Sequence, residues 1–169
     1  MKCFFFDRDG VLIKNYGYLC DKNKIKWLKG AIKAIKILND KKIKVVIVTN
    51  QSGVARGYFN ENQLKEFHYY MNLIIKKKRA RINHFFYCPY HPKGKIKRYS
   101  KISNLRKPNN GMLINALKKF NLKPSECFMI GDQKSDYLCA KKTKIPFEYK
   151  KNYSLEIQVN NILQRLDDL

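Results

Sequence analysis

Short apolar runs recur along this chain, and the segments between them have helical spacing. Cys3 to Phe6, Ile43 to Val48, Ile82 to Tyr87, Cys127 to Ile130 and Pro146 to Tyr149 read as strands. A run such as Val45-Val46-Ile47-Val48 is apolar on both faces, which suits a parallel strand buried beneath helices. Between them, Ala31, Ile32, Ala34, Ile35 and Leu38 fall on one helical face within Gly30 to Lys41. Leu64, Phe67, Met71, Ile74 and Ile75 do so after Asn60, and Met112, Leu113, Ala116, Leu117 and Phe120 between Asn110 and Phe120. A short helix is expected before the fifth strand, and Ser154 should cap a last helix with Leu155, Val159, Ile162, Leu163 and Leu166 inward. Asn60 and Gln63 have capping-box spacing, with Phe59 and Leu64 placed as a hydrophobic staple. Strands alternating with helices imply an α/β fold, a parallel sheet flanked by helices on both faces. No linker-like or low-complexity stretch divides the 169 residues, so one domain over 1–169 is expected.

The polar residues suited to chemistry follow strand ends. Asp7 and Asp9 follow the first strand, Thr49 and Asn50 the second, Asp132 and Asp136 the fourth. In an open parallel sheet the carboxyl ends of the strands line one crevice, so four of the chain's thirteen acids should meet there. Carboxylates that close repel, and a hard divalent cation is the usual reason for gathering them, which makes Mg²⁺ the expected ion. In-line attack on phosphorus needs a nucleophile, a proton donor for the leaving group, and donors or cations for the phosphoryl oxygens. Asp7 can be the first and Asp9 the second, while Thr49, Asn50 and Lys107 supply the third. Gly10 permits a tight turn beside them.

Composition narrows the class further. With 44% hydrophobic and 29% charged residues, the chain is not a disordered tail. Its five cysteines are odd in number, irregularly spaced and without a CxxC pair, which argues against a disulfide framework or a four-cysteine zinc site. Cys3, Cys127 and Cys139 are expected in the core. No apolar run reaches the roughly 18 residues of a membrane helix, and no cleavage-site pattern follows the first strand, so no membrane insertion and a cytoplasmic location are expected. A monomer is expected.

The charge, 36 basic against 13 acidic residues and +23 net, has two competing readings. One is a polyanion-binding surface. The other is compositional drift toward lysine, favoured by its spread through every helix and loop and by only seven arginines. Nonspecific nucleic-acid binding at low salt is expected under either.

Asp7-Arg8-Asp9-Gly10-Val11-Leu12, Thr49-Asn50, Lys107 and Gly131-Asp132-x-x-x-Asp136 together resemble the four signature motifs of the haloacid dehalogenase (HAD) superfamily of phosphatases, in order and across nearly the whole chain. The run Thr49 to Phe59, Cys88-Pro89-Tyr90-His91-Pro92 and Arg106-Lys107-Pro108-x-x-Gly111-Met112 resemble the D-glycero-D-manno-heptose 1,7-bisphosphate 7-phosphatase family, close kin to histidinol-phosphatase. The resemblance implies a Rossmann-like HAD core without a large cap domain and a phosphorylated-sugar substrate on the route to activated heptose for lipopolysaccharide or other surface glycans. It makes Asp7 the nucleophile and Asp9 the general acid and base, with Thr49 and Lys107 completing the catalytic set. It places Mg²⁺ on Asp7, the Asp9 backbone carbonyl and Asp132. Asn15, Tyr16, Gly17, Tyr18, Thr49, Asn50, Gln51, Ser52, Arg106 and Lys107 fall where the family contacts substrate.

One departure stands out. The family's long loop is usually held by zinc through Cys-x-His and Cys-x-Cys pairs, but Tyr90, Ser103 and Leu105 occupy three of those four places and only Cys88 remains. No zinc is expected. The loop from 88 to 106 should then be ordered by other contacts, such as Tyr87, Tyr90 and Tyr99 on the core, or be mobile until substrate binds. Gln133 is a second departure, standing where the family often has lysine. Histidinol phosphate and polynucleotide 3′-phosphate ends are rival substrates, and a catalytically silent basic nucleic-acid-binding protein is the alternative of another class. His68 is expected to be packed or solvated rather than catalytic, Trp27 to be core, and Asp136 either to support the metal or to bond a motif loop.

Overall fold

Alternation along each strand decides which side chains meet which layer of helices. The computed structural model describes residues 1–168. Among them, β1 (Cys3–Phe6), β2 (Lys44–Asn50), β3 (His84–Cys88), β4 (Cys127–Gly131) and β5 (Phe147–Tyr149) form one parallel sheet in the order β3-β2-β1-β4-β5. The helices are α1 (Ala31–Asp40), α2 (Gly53–Arg56), α3 (Glu61–Lys76), α4 (Gly111–Phe120), α5 (Lys134–Thr143) and α6 (Leu155–Asp167). Phe4, Phe6, Val45, Ile47 and Ile130 face α1 and α6. Cys3, Phe5, Val46, Val48 and Met129 face α4 and α5 on the other side. Both faces are therefore dry, which is why the strands read as continuous apolar runs. No helix among the described residues is long and apolar enough to cross a membrane.

Several local expectations hold. Asn60 and Gln63 close the capping box in both directions, at 2.9 and 2.8 Å, and Phe59 joins Leu64 in one apolar cluster. Cys3, Cys127 and Cys139 are buried, as is Cys88.

Three expectations are corrected. β3 starts at His84, because the backbone N–H and C=O of Ile82 bond to the Asn72 side chain of α3 and are diverted from the sheet. Ser154 makes no side-chain cap bond; its hydroxyl lies against Gly30, where a Cβ would sit 2.0 Å away, and the α6 start is tied by Leu155 N–H donating to the Lys29 carbonyl. Trp27 is only partly buried and packs at the margin of the core.

The loop from 88 to 106 is held by aromatics and one acid. Tyr99 is buried, its ring 5.9 Å from that of Tyr90. Tyr87 and Tyr99 both donate their hydroxyls to Glu61 in the first turn of α3, at 2.8 and 2.5 Å. The tyrosines were expected from sequence; Glu61, the acceptor that joins them, was not.

Candidate active site

At the carboxyl ends of β1, β2 and β4 the chain surrounds a cavity of about 140 Å³. Asp7, Asp9, Asn15, Gly17, Thr49, Asn50, Lys107 and Asp132 line it, together with Gln133 and Ser135. Strand register explains the convergence. Phe6 of β1 lies beside Ile47 of β2 and Ile130 of β4, so Asp7, Thr49 and Asp132 follow within two residues of the same level.

Lys107 is the centre of the charge pattern. Its buried ammonium donates to the Val48 carbonyl at 2.8 Å and forms ion pairs with Asp7 at 3.0 Å and Asp136 at 2.5 Å. Burial alone would lower its pKa, but the two carboxylates outweigh that and hold it above the ordinary lysine value. Its backbone is clamped by Asn50, whose amide accepts from Lys107 N–H at 3.0 Å and donates to Lys107 C=O at 3.1 Å.

Asp7 accepts the Arg8 backbone N–H at 2.8 Å on the same oxygen, Oδ1, that faces Lys107. Oδ2 is the oxygen left free of both these contacts. Asp136 accepts the backbone N–H groups of Asp132 and Gln133 at 3.2 and 3.0 Å, which fixes the β4 to α5 turn. Of the two roles expected for Asp136, the bond to the motif loop is thus present, joined by the pairing with Lys107. One carboxylate oxygen from each of Asp7, Asp132 and Asp136 lies within 4.8 Å of the others. Burial pushes the carboxyls of Asp132 and Asp136 above the ordinary range, and the Asp7 charge adds to it in both cases. Asp132 Oδ1 is buried and, among the described residues, has no hydrogen-bond partner.

Glycine makes this crowding possible. Gly10 sits at φ +83°, and a Cβ there would lie 2.2 Å from Asp132 Oδ2.

Asp9 is held differently. Both its oxygens bond to the fully buried Arg8, from Nε and Nη2 at 3.1 Å each, and Oδ2 also accepts from the Gln51 amide at 2.9 Å. Burial raises its pKa although the Arg8 charge opposes this, so the proton form is more accessible than for an exposed aspartate.

The remaining substrate candidates divide by position. Asn15 and Gly17 line the cavity, while Tyr16 and Tyr18 turn toward a wider groove of about 700 Å³ beside α3. Gln51 is buried and spends its amide on Asp9 and Thr49, the latter at 2.9 Å, so it braces the site from behind. Ser52 begins α2, and Arg106 lies along the 88–106 loop, donating to Tyr90 C=O at 3.5 Å; neither is in the cavity lining. Gln133, noted from sequence only as a departure from the family, also lines the cavity, and Ser135 is a lining residue that the sequence did not single out, although both lie within the Gly131 to Asp136 motif.

The model of the polynucleotide kinase 3 phosphatase family matches residues 2–160. The D-glycero-beta-D-manno-heptose-1,7-bisphosphate 7-phosphatase of Pasteurella multocida is 38% identical over 144 residues, 85% of this chain and 78% of that protein. The protein of the same name from Rhodopseudomonas palustris is 35% identical over 159 residues, 94% of this chain and 88% of its own. A HAD-like structure from Mesorhizobium loti superposes with a TM-score of 0.80 at 30% identity, covering 86% of this chain and 69% of that one. The D,D-heptose 1,7-bisphosphate phosphatase of B. bronchiseptica, solved with magnesium and phosphate, also gives 0.80, at 24% identity over 98% of this chain and 99% of that one, and shares the fold. With the four motifs gathered around one cavity, these matches identify a phosphatase: the chain belongs to the haloacid dehalogenase superfamily, in the family of the heptose 1,7-bisphosphate 7-phosphatases.

Proposed function

We propose that this protein is a Mg²⁺-dependent phosphomonoesterase that removes the 7-phosphate of D-glycero-D-manno-heptose 1,7-bisphosphate through a phosphoaspartate on Asp7. The observation that carries the reading is the meeting of Asp7, Lys107 and Asp132 at one phosphate-sized cavity, in a chain whose relatives bear that enzyme's name. A single domain suffices, since every lining residue comes from the one sheet and its loops.

The site fits a divalent cation on chemical grounds. Three crowded carboxylates and the unpaired Asp132 Oδ1 make an all-oxygen donor set, which hard cations prefer. Asp7, Asp132 and the Asp9 backbone carbonyl would hold it, while the Asp136 carboxylate is already committed to Lys107 and two amides. When bound, Mg²⁺ offsets negative charge on the phosphoryl oxygens.

Asp7 Oδ2 attacks phosphorus as the bond to the sugar oxygen breaks, and the Asp9 carboxyl donates its proton to that oxygen. Asp9, now a carboxylate, takes a proton from water, and the water attacks the phosphoaspartate phosphorus to free phosphate and restore Asp7. Thr49 and Lys107 bear on the phosphoryl group and on Asp7. The cavity admits a phosphoryl group but not a heptose, so the sugar extends past Asn15 and Gly17 toward Tyr16 and Tyr18. The product feeds activated heptose for surface glycans, made in the cytoplasm by a monomeric enzyme.

Polynucleotide 3′-phosphatase action is the second reading, favoured by the family model that matches residues 2–160 and by the +23 charge. Phosphate release with Mg²⁺ should be compared for heptose 1,7-bisphosphate, histidinol phosphate and a 3′-phosphorylated oligonucleotide. The heptose should turn over fastest and change little with salt; a faster oligonucleotide reaction that falls steeply with salt would transfer the assignment.

Gly10→Ala tests the metal seat without replacing a ligand. The Cβ displaces Asp132, so half-maximal activity should need about tenfold or more Mg²⁺. An unchanged Mg²⁺ titration would remove Asp132 from the proposed ligand set.

A further inference from the structure

Arg8 is fully buried, and all of its polar contacts are visible. Nε and Nη2 go to Asp9, Nη2 also to the Leu19 carbonyl at 3.0 Å, and Nη1 lies 3.2 Å from Nε2 of His68. The guanidinium carbon stands 4.9 Å over the Phe67 ring. His68 is itself buried on the inner face of α3, stacked on Phe85 with ring centroids 4.4 Å apart and planes 11° from parallel. Arginine has no acceptor, so the contact can be a hydrogen bond only if His68 Nε2 presents its lone pair and the proton resides on Nδ1. Burial and the neighbouring Arg8 charge hold the imidazole well below its ordinary pKa, in agreement with the neutral form.

We infer that His68 is a positioning residue for the phosphatase reaction: by accepting from Arg8 Nη1 it fixes the guanidinium plane whose other two nitrogens aim the Asp9 carboxyl. The inference rests on the phosphatase reading but not on which phosphate ester is the substrate. Arg8 cannot turn to water, since it is buried, and a planar fork transmits any tilt to both Asp9 oxygens. Without the acceptor, Nη1 becomes a buried donor lacking a partner, and the guanidinium must rotate to find one. Asp9 then loses its aim while Asp7, Lys107 and Asp132, which Arg8's side chain does not touch, keep theirs.

Two variants separate positioning from packing. His68→Leu removes the acceptor but keeps an apolar filling, and His68→Gln restores an oxygen that can accept from Nη1. On whichever phosphate ester the wild type hydrolyses fastest, His68→Leu should lower kcat about tenfold with KM within about twofold, and His68→Gln should stay within about threefold of wild type. The loss in kcat/KM should be smaller on p-nitrophenyl phosphate, whose leaving group departs without a proton. Equal losses for Leu and Gln, or equal losses on both leaving groups, would overturn the inference. Imidazole ¹⁵N shifts read the tautomer without any turnover: an Nδ1–H, neutral His68 is expected, and an Nε2–H or doubly protonated ring overturns the proposal even if the substrate panel fails.

Discussion

Asp7→Asn should abolish turnover, by about a thousandfold or more in kcat, and leave the fold as stable as before or more so. The chemical loss is direct, because an amide oxygen cannot form the phosphoaspartate. The stability follows from the contacts. Asn Oδ1 still accepts the Arg8 N–H and the Lys107 ammonium, now at 2.8 and 3.0 Å. Meanwhile one of three negative charges within 4.8 Å is removed, which relieves repulsion that the wild type bears when no cation is present. Lys107 keeps Asp136 as a counter-charge. Phosphate release and thermal melting without added metal check both halves. Turnover near the wild-type rate would remove Asp7 as nucleophile, and a melting point lowered by more than a few degrees would contradict the charge argument.

What could be read from sequence follows from what is local. β1 and β2 were visible because a strand covered on both faces must be apolar throughout, and the α3 start because a capping box uses residues three apart. That Asp7, Thr49 and Asp132 would meet was legible because the carboxyl ends of parallel strands line one crevice, and Lys107, just before α4, joins them there. Roles set by three-dimensional neighbours were not. Gln51 follows Thr49 and Asn50 and was expected at substrate, yet β2 ends by turning its amide inward to Asp9. Glu61 looks like an ordinary helix first-turn acid, and only the folded chain brings Tyr87 and Tyr99 to it. His68 sits among aromatics in sequence and was expected to be packed or solvated; it is packed, and its bond to Arg8, sixty residues away, has no sequence signature. Ile82 belongs to a β-like run, but Asn72 satisfies its backbone before the sheet can.

Lys107→Met should fail in both chemistry and stability, and that contrast with Asp7→Asn distinguishes their roles. Methionine approximates the lysine stem but leaves Asp136, which is fully buried, and the mostly buried Asp7 without their shared cation. Breaking a buried ion pair from one side costs about 3 to 5 kcal/mol, since the abandoned charge stays desolvated. For a chain of this size the melting point should fall by on the order of 10 °C. Turnover should fall by at least about a hundredfold, because the charge that holds Asp7 against the developing phosphoryl negative charge is gone. Lys107→Arg should not rescue either property. A compact ammonium meets three acceptors in a buried pocket, and a planar guanidinium is larger and spreads its donors over a different geometry. The decisive comparison is the double variant Asp136→Asn/Lys107→Met. Replacing the buried carboxylate by a neutral amide removes the stranded charge, so part of the lost melting temperature should return while turnover stays low. Recovery of both together would mean that Lys107 acts on the reaction only through the fold; recovery of neither would mean that the stranded Asp136 charge is not the source of the lost stability.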